Sequence, residues 1–215
     1  MADAVRVLES GAMDVAHPAP DRPDPSAIDH FVFLRDVSFR DYEALLEMRG
    51  ERSVPRMAYS QGVVELTTPS RFHEQDKTRF ARLLEAWAEE MGIQLEGLGS
   101  WTLKNSRDER GAEPDECYTV GRIADSDDDR PDIAIEVIWT SGGLDKLEIY
   151  QKLGVREVWF YEHGSLKFFS LRGESYQECE RSPLLPEADP EFLVRFMAEP
   201  SQVAAVRALR AALRK

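Results

Sequence analysis

Pro131-Asp132-Ile133-Ala134-Ile135-Glu136-Val137-Ile138 is the stretch on which the fold turns. Its β-branched run reads as a strand, and proline is tolerated at a strand's start while biasing the residue before it to extended geometry. Period-two alternation puts Asp132, Ala134 and Glu136 on one face, with Ile133, Ile135 and Val137 on the other. Glu136 therefore sits deep in a strand that otherwise reads as buried. An ionised carboxylate there is costly unless a cation or hydrogen bonds compensate it. A second Pro-Asp step, Glu113-Pro114-Asp115, comes before the run Cys117–Val120 and sets another carboxylate at a strand start.

A cation to match these carboxylates follows ten residues on. In the expected helix Leu144–Leu153, stopped by Gly154, residues Lys146, Ile149, Tyr150 and Leu153 stand at i, i+3, i+4 and i+7. Lys146 thus heads an apolar stripe and aims at the sheet, while Asp145, Glu148 and Lys152 form the solvated row. Two carboxylates and an inward lysine suit metal-assisted phosphodiester hydrolysis. The carboxylates would hold Mg²⁺ or Mn²⁺, which prefer hard oxygen ligands, and the ammonium would orient water or neutralise developing charge.

Upstream, the clearest helix runs over Arg71–Met91 and stops at Gly92, with Phe80, Leu83, Leu84, Trp87 and Met91 on one face. His73 and Asp76 project onto that face one or two turns earlier. A shorter helix starts at the cap Ser38, with Tyr42, Leu45 and Leu46 as its apolar side, and ends near Gly50. Arg56–Tyr59 and Val63–Thr67 read as a hairpin turning at Ser60-Gln61-Gly62; Arg156–Tyr161 and Leu166–Leu171 read as a second. Shorter strands are expected at Ile93–Leu95, Trp101–Leu103 and Tyr176–Glu180, and helices at Pro190–Met197 and Val203–Arg214. Helices before and after a set of strands with edge hairpins make an α/β or α+β sheet domain. Residues 1–27, rich in Pro, Asp and Ala, read as a disordered leader.

Composition narrows the function. The 215 residues carry 40 acidic and 27 basic side chains, a net charge of −13, so coating nucleic acid by bulk charge is excluded and any contact must be local. Part of the excess lies in the leader and in the loop Asp125–Asp129, which reads as a solvated connection. Cys117 and Cys179 lack metal or redox spacing and read as buried thiols. No apolar run spans a membrane and no signal peptide is evident, so a reducing cytoplasm is the expected home. Without G-x-S-x-G, GxGxxG or a P-loop, neither a serine hydrolase nor a nucleotide cofactor is implied.

Taken in order, Gly62-Val63-Val64-Glu65-Leu66, Pro69-Ser70-Arg71-Phe72-His73-Glu74, Glu113-Pro114-Asp115-Glu116, Pro131–Val137, Ser141–Lys146 and Tyr150 through Gly154-Val155-Arg156-Glu157-Val158-Trp159 resemble the Uma family (Uma two) over about Ser38 to Leu171. These are restriction-endonuclease-like proteins of the PD-(D/E)XK nuclease superfamily. The resemblance implies a mixed central β-sheet flanked by helices, a Mg²⁺-type site and DNA as substrate, with Asp115 and Glu136 as metal ligands. The superfamily's lysine usually lies two residues after the second carboxylate, where this chain has Ile138. The Uma-type variant moves it to the next helix, which matches Lys146. His73 and Glu74 match the helix-start segment, where the superfamily often adds an acidic group; by helical angle His73 points inward and Glu74 flanks it. The nuclease-like domain would cover 28–180, with 181–215 a helical extension, and cutting both duplex strands would call for a homodimer.

Blander readings stand beside these. Asp115 and Glu136 also suit a hydrogen-bonded structural pair, Lys146 a snorkelling side chain, His73 a satisfied core histidine, and Asp132 a strand cap. A nuclease-fold protein that binds without cutting is the alternative to the enzyme.

Overall fold

The computed structural model describes residues 28–125, 129–140 and 142–214. The expected leader and the middle of the acidic loop lie outside them. In chain order the elements are β1 (His30–Leu34), α1 (Phe39–Arg49), β2 (Arg56–Ser60), β3 (Val63–Thr68) and α2 (Arg71–Met91). Then come β4 (Leu95–Gly97), β5 (Leu103–Asn105), β6 (Arg110–Ala112), β7 (Glu116–Val120), β8 (Ile133–Ile138) and α3 (Lys146–Leu153). The chain closes with β9 (Glu157–Glu162), β10 (Ser165–Arg172), β11 (Ser175–Cys179), α4 (Pro190–Val194), a 3-10 turn at Arg195–Ala198, and α5 (Gln202–Leu213).

The strands divide into two sheets, in the orders β1-β3-β2-β6-β5 and β11-β10-β9-β8-β7-β4. Every pairing is antiparallel except β8 with β9, which are joined through α3 as a parallel βαβ unit. This is the mixed α+β architecture expected from the sequence.

The alternation in β8 decides the layers. Ile133, Ile135 and Val137 join Phe80, Leu83, Leu84 and Trp87 of α2, Trp159 of β9 and Leu209 of α5 in the main core. Each fully buried large side chain contributes roughly 1.5–3 kcal/mol. Ala134, on the opposite face, packs with Ile149, Tyr150 and Leu153 of α3, and with Ala58 and Ala112 of the five-stranded sheet. A third cluster of Phe39, Tyr42, Met57, Tyr59 and Val64 seats α1 on that sheet.

The caps and turns follow local chemistry. Ser38, Ser70 and Asp145 cap α1, α2 and α3, each side chain accepting a backbone N–H of the first turn. Both hairpins turn on two residues with positive φ, Gln61-Gly62 and His163-Gly164, as a type I′ turn requires.

Beyond β1 and β6, which the sequence did not announce, and the break of the expected helix Pro190–Met197 into α4 and a 3-10 turn, some bounds and one exposure differ from the sequence expectation. The Ile93 N–H bonds the Ala88 carbonyl in the turn that closes α2, so β4 begins at Leu95. Pairing with β6 likewise moves the next strand from Trp101–Leu103 to Leu103–Asn105. Met91 is 42% exposed because it is the last helical residue, followed by Gly92 rather than by another covering turn. Among the described residues no helix is long and apolar enough to cross a membrane.

Candidate active site

The β7–β8 register pairs Glu116 with Ile135 and Cys117 with Ala134. Asp115 stands just before the first paired residue, and its Oδ2 accepts the N–H of Val137, the neighbour of Glu136. The two sequence-predicted carboxylates thus lie on neighbouring chain segments at this end of the pairing. They line a cavity of about 310 Å³ between the two sheets, which Lys146 and His73 also line. Glu74 is absent from the lining: its half-exposed carboxylate pairs with Lys77 at 3.0 Å and with Arg56 at 2.6 Å. It meets the site only through Arg56.

Asp115 is 2% exposed and its oxygens are fully engaged. Oδ2 accepts the Val137 N–H at 2.7 Å, while Oδ1 faces His73 Nε2 at 2.9 Å and the Arg56 guanidinium. Glu136 is bound more loosely. Its Oε1 accepts the Tyr150 hydroxyl, and its other oxygen has no hydrogen bond or ion pair among the described residues. Burial and the neighbouring Glu136 charge hold the Tyr150 phenol well above its ordinary pKa, so it remains a donor.

Lys146 is the first residue of α3, where the helix dipole opposes a cation. Its ammonium lies 3.2 Å from Glu65 Oε1, with the side chain 22% exposed. Burial pulls the lysine pKa down, but the Glu136 and Glu65 charges outweigh it and the net shift is upward. Glu65 is itself fixed: Oε1 also accepts the Thr67 hydroxyl at 3.2 Å, and Oε2 accepts the Leu144 N–H at 2.6 Å. Only glycine suits the adjoining loop at Gly143, where φ is +123° and a Cβ would stand 2.8 Å from Glu65 Oε2.

His73 is held from both sides. Nδ1 faces Asp29 Oδ2 at 3.0 Å, opposite the Asp115 contact, while Asp29 Oδ1 accepts the Ser70 N–H at 2.7 Å. Burial raises the Asp29 pKa, but the bonds from His73 and Ser70 and the histidine charge bring it below the ordinary carboxylate value.

Two other acids named from the sequence have structural partners. Glu113 lies at the cavity wall, where it takes Arg49 at 2.5 and 2.6 Å, the Met57 N–H at 2.8 Å and the Thr102 hydroxyl at 2.5 Å. Asp132 caps the start of β8, accepting the Val120 N–H at 2.9 Å and pairing with Arg156 at 3.1 Å. Cys117 is buried, and desolvation pushes its thiol up to about 12, so it is inert as a nucleophile.

Sequence reasoning missed Asp29, Arg56 and Tyr150 as site residues and left Glu65, part of the family motif, without a role. Tyr150 stood in the same stripe as Lys146, and Glu65 was an acid inside an apolar hairpin strand. Asp29 and Arg56 carried no local signal.

The donor set suits a hard divalent cation in part. Asp115 and Glu136 supply carboxylate oxygens from neighbouring chain segments, and acids outnumber cations in the cavity lining, with Asp29, Glu65, Glu113, Asp115, Glu136 and Glu162 against Arg56 and Lys146. Among the described residues no group of three or more His, Cys, Asp or Glu is arranged to hold a metal. Two protein ligands still fit Mg²⁺, which usually keeps several waters.

With the ordered set of Glu65, His73, Asp115, Glu136 and Lys146 around one cavity, the relationship to known proteins has a structural setting. The profile of the Uma2 family, described as "Putative restriction endonuclease", matches residues 39–199. The chain belongs to this family. Within the Uma2 span lie all the charged site residues except Asp29, which the segment leading into β1 contributes from outside it. A solved structure described as "a putative nuclease belonging to DUF820 from Anabaena variabilis" is similar at 11% identity and a TM-score of 0.47, over 80% of this chain and 99% of that one. No curated protein matches the sequence.

Proposed function

We propose that this Uma2 protein is a metal-dependent endonuclease that hydrolyses DNA phosphodiester bonds. The observation that carries the reading is that Asp115, bonded to the Val137 N–H, lines one cavity with Glu136 and Lys146. Asp115 and Glu136 would hold Mg²⁺ or Mn²⁺. Such a cation, when bound, supplies Lewis-acid polarisation of the phosphate and a more acidic water.

The remaining chemistry belongs to the chain. Lys146, kept cationic by Glu65 and Glu136, carries donors that can orient an attacking water or offset charge on a non-bridging phosphate oxygen. Tyr150 fixes the Glu136 carboxylate from behind and leaves one of its oxygens toward the cavity. Asp29 fixes the His73 ring, which in turn steadies Asp115. Two copies of the chain would place two such sites on a duplex. With a net charge of −13, DNA affinity is expected to be modest and to weaken with salt.

A second reading, a nuclease-fold protein that binds without cutting, is favoured by one observation: Asp115 has no uncommitted oxygen. Incubating the protein with supercoiled and linear DNA and Mg²⁺ or Mn²⁺ separates the two. Cleavage lost on removing metal, and lost in Glu136→Gln and Lys146→Met, supports the nuclease. Carboxylate-dependent Mn²⁺ binding without turnover supports the binder.

A further inference from the structure

We infer that Arg56 is a latch on the proposed cation site: its guanidinium covers the Asp115 carboxylate against a metal ion and yields it by shifting toward Glu74. The inference rests on the reading of Asp115 and Glu136 as a cation-holding pair, and it gives Glu74 a role that its place outside the cavity otherwise denies.

The geometry is that of one cation shared between two acids of different mobility. Arg56 opens β2, with its side chain 9% exposed. One terminal nitrogen meets Asp115 Oδ1; the other donates to Glu74 Oε1 at 2.6 Å. Asp115 is anchored on the inner side by Val137 N–H and His73, so it cannot follow the guanidinium. Glu74 is 42% exposed and already shares its second oxygen with Lys77, so it can move outward with Arg56. Arg56 therefore has one route off Asp115, along the fork toward Glu74, and the planar guanidinium suits such a two-acid bridge.

Competition follows from charge. Arg56 and Lys146 already place two cations around the cavity, and a divalent ion beside Asp115 would be a third within a few ångströms. While the guanidinium stays, the Asp115 oxygen that a metal needs is taken and part of the cavity's negative charge is already offset. Once it withdraws, Asp115 and the uncommitted oxygen of Glu136 present two anionic donors on neighbouring chain segments. The described state, with the guanidinium on Asp115, is the latched one.

The test is a Mn²⁺ titration without DNA, read by the loss of the free-ion electron paramagnetic resonance signal, on the full chain and its variants. Arg56→Gln is expected to bind Mn²⁺ about tenfold more tightly than the unmodified protein, because Asp115 is left charged and open. Its melting temperature should fall without metal and rise more on adding Mn²⁺. Glu74→Gln, a change at a half-exposed position that leaves the core intact, is expected to shift affinity the other way, severalfold weaker, because Arg56 then rests wholly on Asp115. Saturable binding that Asp115→Asn removes but Arg56→Gln leaves unchanged or weakens overturns the latch alone. Absence of saturable binding in every variant overturns the cation pair and the latch together.

Discussion

The parallel pair of β8 and β9 carries two buried acids, and their surroundings are built differently. At the start of β9, Glu157 is 1% exposed and saturated by neutral donors. It accepts Trp159 Nε1 at 2.9 Å, the Ser182 hydroxyl at 2.6 Å and the Leu184 N–H at 2.8 Å, which ties the C-terminal segment to the sheet. Three pairs further along the register, Glu136 has one phenolic donor, one uncommitted oxygen and a cavity in front of it. A carboxylate that only holds a fold is closed off by rigid neutral groups. One that is available for chemistry keeps a lone pair open and is surrounded by charges that can move.

The largest expected effect of breaking this contrast is on turnover. Glu136→Gln is predicted to reduce metal-dependent DNA cleavage by about 10²–10³-fold, the range for removing one preorganised electrostatic group. Its stability, read by urea unfolding, should change by less than about 1 kcal/mol, since the amide still accepts from Tyr150. Glu157→Leu should do the opposite. Three buried donors lose their acceptor, and stability falls by about 3 kcal/mol. Cleavage per folded molecule stays the same at a temperature where the variant is folded. A turnover defect in folded Glu157→Leu would break the comparison.

Intermediate in size is Glu65→Gln, which loosens the aim of Lys146. The lysine loses one of the two charges that raise its pKa, and cleavage is expected to fall about tenfold with metal affinity little changed. The smallest effect is a pH dependence. The Asp29 pKa is depressed in the fold below its ordinary 3.8, so its contribution to stability is present above that value and is lost as pH falls through the lower folded value. Asp29→Asn should therefore unfold at lower urea than the unmodified protein at pH 7, and the gap should narrow toward pH 3.

Much of this arrangement was legible in the sequence because it is written at short range. Two-residue alternation assigned the faces of β8, and the i, i+3, i+4, i+7 stripe turned Lys146 inward. Ser38, Gly92 and Gly154 marked helix ends that the structure keeps. Arg56 and Asp29 were not legible, because their meaning depends on partners far along the chain. Asp29 meets His73 44 residues later, through β1, a strand that no pattern flagged. β6, Arg110-Gly111-Ala112, has no β-branched residue and exists because β2 and β5 pair with it from either side. Its glycine also admits the Tyr42 ring, which a Cβ would meet at 2.5 Å. The division into two sheets follows from such long-range pairings rather than from local propensity.

The most direct test of the central claim, that Asp115 and Glu136 are a cation-holding pair served by Lys146, is anomalous diffraction from crystals soaked in Mn²⁺. A single peak within coordination distance of both carboxylates, with the Lys146 ammonium facing the same space and Arg56 drawn back from Asp115, is the predicted result. An empty map at that position, with Asp115 still covered by Arg56 and Glu136 bonded only to Tyr150 at saturating Mn²⁺, would contradict it.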